Sequence, residues 1–153
     1  VKALADVYVD HVVLLADSYA RLTGHRLVAE ADVAGSLARR VWEAPFALVS
    51  HGTEADPVFN YANLTALRLF EMSWEDFTCM PSRLSAEPEN QQARATLLQR
   101  VKEHGYIDDY SGVRISATGR RFMIHDAVVW NIVDCQGRRQ GQAAMFAQWR
   151  ALD

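Results

Sequence analysis

The sequence predicts one α+β domain: a five-stranded antiparallel sheet with its helices on one face and extra helices at the N-terminus. Three observations carry this. Two short apolar runs, 46–49 and 58–61, flank a turn-rich connection. Several short helical patterns and one longer one follow. Three long strand-like runs with tight connections then close the chain, as an antiparallel meander does. A length of 153 residues fits one domain. Half the residues are hydrophobic and only eight are Gly and four Pro, which excludes a disordered or fibrous chain.

The elements follow in order. Leu4, Tyr8, Val12, Leu15, Tyr19 and Leu22 recur at helical spacing, widened by Val7, His11 and Leu14, and Gly24 offers a stop. A second helix is expected over 33–43, with Asp32 as its cap, Leu37, Ala38 and Val41 on one face, and Pro45 beyond its end. These helices make residues 1–44 an extension that packs on the sheet or on a partner, and residues 45–153 the main domain. The runs 46–49 and 58–61 read as a hairpin joined through 51–57. Asn63 reads as the N-cap of a helix with Ala66, Leu67 and Phe70 on one face. Ser73-Trp74-Glu75-Asp76 has the form of a capping box, and Pro81 ends that short helix. After Pro88 comes the longest helix, with Ala93 or Arg94, then Leu97, Leu98, Val101 and His104 on its stripe and Gly105 as stop. Strand character covers 106–117, 122–133 and 142–149, separated by Ser116-Ala117-Thr118-Gly119 and Asp134-Cys135-Gln136-Gly137.

Composition narrows the function. A formal charge of −3 offers no electrostatic case for nucleic acid. Cys79 and Cys135 stand 56 positions apart and form neither a CxxC pair nor a zinc site, which points to a reducing, cytoplasmic compartment. No apolar run, that at 127–130 included, is long enough to cross a bilayer, and the first residues do not read as a signal peptide. The chain starts at Val1 rather than Met, which leaves room for sequence upstream.

A series of motifs in fixed order carries a family resemblance. Glu43-Ala44-Pro45-Phe46-Ala47-Leu48-Val49-Ser50-His51-Gly52 and the run from Asp56 to Asn63 resemble the opening of the MEKHLA domain, a PAS-related family. The runs from Ala66 to Glu71, Pro81 to Glu87, Gly105 to Ser116 and Gly119 to Phe122 continue it, with Trp130-Asn131 and Asp134 to Gly137 in the last part. The resemblance spans about residues 5–149. It implies a PAS-like fold and a sensor of a small ligand or of redox state, with the ligand unknown. The family is similar to the C-terminal domain of plant class III homeodomain–leucine-zipper proteins, and bacteria carry standalone versions. This chain contains neither a basic region nor a zipper, so DNA binding does not carry over. Flavin photoreceptors of this fold use a reactive cysteine followed by arginine. Aligned through Glu75-Asp76-Phe77, this chain has Ser82 there beside Arg83, with Cys79 three positions early. The resemblance thus argues against covalent thiol–flavin photochemistry and leaves non-covalent flavin open.

Seven residues are candidates for ligand contact: His51, Tyr61, Arg83, Tyr110, Arg114, His125 and Asn131. His51 either satisfies its loop or faces a ligand; the spacing to Glu54 and Asp56 matches no zinc motif. Tyr61 lines a cavity or fills the core. Arg83 pairs with an anionic ligand group or with Glu87 on the surface. Asp108-Asp109-Tyr110 opens either a charged edge strand or, with a bulge near Gly112, a surface where Tyr110 and Arg114 meet a ligand or partner. His125 and Asn131 interrupt an apolar strand whose two faces look alike, so alternation does not say which is inside. The leading reading is a small-molecule-sensing module without catalytic turnover, dimerising through the stripe from Leu4 to Leu22. The alternatives are a small enzyme using a His51–Asp56 acid–base pair and a cofactor-free protein-interaction domain.

Overall fold

The computed structural model describes residues 8–28 and 34–152. The expectations on Leu4, Val7, Asp32 and Val33 lie outside them. The elements are α1 (Val9–Thr23), α2 (Ala34–Trp42), β1 (Ala47–His51), β2 (Phe59–Ala62), α3 (Leu64–Phe70), α4 (Trp74–Phe77), a 3-10 turn (Ser82–Ser85), α5 (Pro88–His104), β3 (Tyr106–Ile115), β4 (Arg121–Val133), β5 (Arg139–Phe146) and β6 (Gln148–Leu152). The sheet is antiparallel, in the order β2-β1-β5-β4-β3, with β6 also paired to β4.

The expected third strand of the meander is two strands. β4 is 13 residues long. Its second half pairs with β5 and its first half with β6, and the break falls at Ala147. The change of partner coincides with Asp126, whose φ of 51° is left-handed, a conformation that Asp tolerates better than most residues. Four residues of β4, from Ile124 to Ala127, face three of β3, from Gly112 to Tyr110, so one residue is extra. Alternation therefore changes phase along β4. Phe122 and Ile124 point to one face before the bulge, and Ala127, Val129 and Asn131 point to that same face after it.

That face is covered by α3, the 3-10 turn and α5. α5 sets Leu97 and Val101 against Val129. The opposite face is covered by α1, whose Val12, Leu15, Ser18 and Tyr19 are buried. Tyr19 meets the edge of Trp130 at 4.9 Å between ring centroids, and Ser18 Oγ both donates to the Val133 carbonyl and accepts from its N–H, each at 2.9 Å. Both faces of β4 are thus buried, which is why its sequence shows no polar side.

Local signals set the ends of the elements. Asn63 caps α3 through Oδ1, which accepts from Ala66 N at 3.1 Å and from Leu48 N at 3.0 Å. Its Nδ2 donates to the carbonyls of Val41 and Phe46, so one buried amide joins α2, β1 and α3. Ser73 Oγ caps α4 at Asp76 N, 3.1 Å away. Pro88 occupies the first turn of α5, where its missing N–H costs nothing, and Gly105 ends that helix with φ 102°.

Candidate ligand-binding site

A cavity of about 50 Å³ lies between α5 and the sheet. Strand pairing explains its membership. His51 of β1 sits opposite Gln142 of β5, and Val49 opposite Ala144, so both pairs face α5. Gln142 in turn sits opposite Asn131, and Ala144 opposite Val129. β3 supplies Tyr110 and Arg114, α5 supplies Arg94, Leu97 and Leu98, and the 3-10 turn supplies Ser85. Phe59, Phe70, Ile124 and Phe146 complete an apolar wall.

The polar lining comprises His51, Ser85, Arg94, Tyr110, Arg114 and Gln142. His51 is buried, and burial drops its pKa from 6.5 to about 4, so the ring is neutral. Its Nδ1 lies 2.9 Å from the Gly52 carbonyl, which accepts only; the proton is therefore on Nδ1 and Nε2 carries a lone pair. That Nε2 is buried and has no hydrogen-bond partner among the described residues. Arg94 and Arg114 are each 8 % exposed. Arg114 is fixed: Nη1 donates to the Val113 carbonyl at 2.8 Å and Nη2 to the Tyr110 hydroxyl at 3.0 Å. Tyr110 folds back over Gly112 to make this bond, and a Cβ at Gly112 would collide with its hydroxyl. Arg94 is pushed down to about 10, first by burial and then by the charge of Arg114.

Three of the seven expected residues, His51, Tyr110 and Arg114, line the cavity together. Four lie elsewhere. Tyr61 falls on the opposite face, because the register slips between Ser50 and His51: Phe59 sits opposite His51, and Tyr61 opposite Ser50. Its ring packs against His11 and Trp74, and its hydroxyl is buried. Arg83 points to solvent and pairs with Asp56 at 3.1 Å rather than with Glu87, which takes Arg121 at 2.5 Å. His125 is half-buried at the bulge, where β4 pairs with Gln148 of β6. Asn131 stands behind the cavity. Its Nδ2 donates to the Val101 and Lys102 carbonyls and its Oδ1 accepts from Gln142 Nε2 at 3.2 Å, so it holds the end of α5.

Arg94 and Gln142 are cavity residues that the sequence reading did not put forward, and Ser85 lies within the motif run from Pro81 to Glu87. For Arg94 the signal was present: it falls on the stripe of Leu97, Leu98 and Val101. The acid–base pair is not assembled, since His51 bonds to Gly52 while Asp56 is exposed and bonds to Arg83. Among the described residues no three His, Cys, Asp or Glu side chains converge on a metal position. No helix among them is long and apolar enough to cross a membrane.

The other side of β1 connects the cavity wall to α1. Ser50 Oγ donates to Asn60 Oδ1 at 2.5 Å, which leaves it to accept from His11 Nε2 at 3.0 Å. Burial lowers the pKa of His11, which favours the neutral ring.

Residues 9–151 match the MEKHLA domain. The rice homeobox-leucine zipper protein HOX29 (Oryza sativa subsp. indica) is 27% identical over 142 residues, covering 90% of this chain. ATHB-14 of Arabidopsis thaliana is 26% identical over 136 residues, covering 86%. The chain spans only 16% of the length of either protein. Among solved structures, the PAS domain of a Colwellia psychrerythraea protein superposes with a TM-score of 0.66 at 14% identity, covering 79% of this chain and 98% of that one. The light-state dimer of the fungal blue-light photoreceptor Vivid gives 0.61 at 12% identity, covering 89% and 93%. These likenesses show the fold. The α+β architecture is that of a PAS domain, and the chain belongs to the MEKHLA domain family.

Proposed function

We propose that this domain senses a small molecule held in the cavity between α5 and the sheet, and that it works without catalytic turnover. One observation carries the reading: on three separate elements, the unpartnered His51 Nε2, the buried Arg94 and the bonded Tyr110–Arg114 pair converge on one cavity with apolar walls. Buried polar groups need partners, and a ligand supplies them here. The size bears on what fits. A volume of about 50 Å³ holds about four water molecules, far below the roughly 300 Å³ of ordinary drug-sized pockets. A flavin ring system does not fit without outward movement of the walls. Ser82 is buried at the position where flavin photoreceptors carry their cysteine, while Cys79 is exposed.

Occupancy reaches α1 through β1. His51 and Ser50 are neighbours with opposite faces, so a shift of His51 toward a ligand moves Ser50 against His11. Dimerisation belongs to the same proposal, with a constraint. Val12, Leu15 and Tyr19 are buried in the chain's own core, so among the described residues of that stripe a second copy meets only the half-buried Tyr8, His11, Leu14 and Leu22. Light scattering across a dilution series tests it; a constant monomer mass removes the dimer. A reducing, cytoplasmic setting fits the two exposed free thiols.

The sensing proposal is tested by native mass spectrometry with denaturing mass analysis and an absorption spectrum on one sample, followed by a thermal-shift screen of charged and neutral fragments. A released small molecule, or a saturable rise in melting temperature lost on Val129→Trp, supports it. An empty protein that no fragment stabilises overturns it.

A further inference from the structure

The cavity carries an excess of positive charge. Arg94 and Arg114 are each more than nine-tenths buried. Among the described residues no carboxylate pairs with either. Glu71 is engaged by Ser116, Thr118 and Arg120, Glu87 by Arg121, and Asp56 by Arg83. Asp108 and Asp109, the acids nearest in sequence to Tyr110, are exposed. Arg94 makes no hydrogen bond among the described residues, and it shares the cavity lining with Arg114, whose charge acts on it. Two like charges enclosed together without a counter-charge are unfavourable, and an anion between them relieves both.

The remaining groups restrict that anion. Tyr110 accepts from Arg114, so its own O–H is free to donate toward the same point. His51 Nε2 offers a lone pair and cannot donate. The other walls, Val49, Phe59, Leu97, Ile124, Val129 and Phe146, are apolar.

We propose that the cavity binds a short-chain organic acid: its carboxylate is held by Arg94, Arg114 and the Tyr110 hydroxyl, its hydroxyl or other donor faces His51 Nε2, and its carbon chain lies on the apolar wall. This rests on the small-molecule reading above and names the ligand class. The volume limits the acid to a handful of non-hydrogen atoms. A planar carboxylate suits two guanidinium groups, which donate in forked pairs.

The test uses the whole chain and three probes: lactate, its uncharged counterpart lactamide, and chloride at matched ionic strength. Binding is read by calorimetry and by backbone chemical shifts at positions 51, 94 and 114. Lactate is expected to bind and lactamide to bind at least about tenfold more weakly, a loss typical of one charged hydrogen bond. Arg94→Gln is expected to abolish the discrimination and Arg94→Lys to retain part of it. Arg94→Gln is also expected to melt at or above the wild-type temperature without ligand, because it removes a buried charge that has no partner; a merely structural arginine gives the opposite sign. Equal binding of lactate and lactamide, or equal displacement by chloride, overturns the organic-acid assignment while leaving the sensing reading intact. Silence toward all three probes overturns the assignment as well. If the fragment screen is also silent, the sensing reading falls with it.

Discussion

Gly141 approaches His51 so closely that a Cβ on Gly141 would overlap the His51 carbonyl. Its φ of 151° lies in a region that side chains rarely adopt. β5 thereby draws against β1 one residue before Gln142, and the close approach sets the opposition of His51 and Gln142 across the cavity floor. Gly141→Ala is expected to destabilise the fold by about 3 kcal/mol, from backbone strain plus displacement of a central strand. Urea unfolding measures it. An alanine variant of unchanged stability would show that the two strands are further apart than described.

Asn63→Ala is expected to cost about 2–4 kcal/mol. An N-cap alone is worth about 1 kcal/mol. Here the same amide also satisfies the Leu48 N–H and the Val41 and Phe46 carbonyls, all of which would lose a partner. Asn63→Asp keeps the acceptor but brings a charge to a fully buried site, so it is expected to rescue little. Chemical denaturation of both variants separates capping from the inter-element bonds.

Acid sensitivity follows from His51. Its pKa is about 4 in the fold against 6.5 unfolded. Between these values the unfolded chain takes up a proton that the folded chain refuses. Stability is therefore complete above about pH 6.5 and falls as pH drops toward 4, by about 3 kcal/mol from this group. His11, also lowered by burial, acts in the same direction. Glu71 and Asp134, held down by their hydrogen bonds, add losses at lower pH. The useful readout is the difference between wild type and His51→Gln. The variant is expected to lose less stability between pH 7 and 4, and identical slopes would place His51 in contact with water.

Arg83→Ala is expected to change stability by no more than about 0.5 kcal/mol and to leave ligand binding unaffected. Its pair with Asp56 is half-exposed on both sides, where water screens the attraction. A loss of ligand affinity in this variant, measured beside Arg114→Gln as the positive control, would move the site outward from the cavity.

Signals confined to a few neighbouring residues were legible. Asn63, Ser73, Pro88 and Gly105 each act on the backbone beside them, so helix ends could be located from sequence. The family motifs carried the fold, and chemistry pointed to His51, Tyr110 and Arg114. What was hidden depends on strand register. Tyr61 and Phe59 share a parity, yet the slip beside His51 sends them to opposite faces. Asn131 looked like a ligand group because a buried amide needs partners, and those partners are helix carbonyls thirty positions away. Arg94 was obscured by its own charge: on an apolar stripe a guanidinium is read as facing water, and Ala93 offered an innocuous alternative. Gln142, between Gly141 and Ala143, showed nothing until strand pairing set it opposite His51.

The bulge at Asp126 makes β4 two rulers laid end to end and offset by one mark. Upstream of it even-numbered side chains look toward the cavity, and downstream odd-numbered ones do. Straightening the strand there with every residue retained would rotate Trp130 into the space of Val129, pressing an indole against α5 and withdrawing it from Tyr19, whereas deleting the extra residue together with the bulge leaves Ala127, Val129 and Asn131 on the cavity side. Insertions beside Gln136 and Gly137 only lengthen an exposed turn. One left-handed residue in mid-strand thus keeps the cavity lining and the contacts to the N-terminal helix on their proper sides.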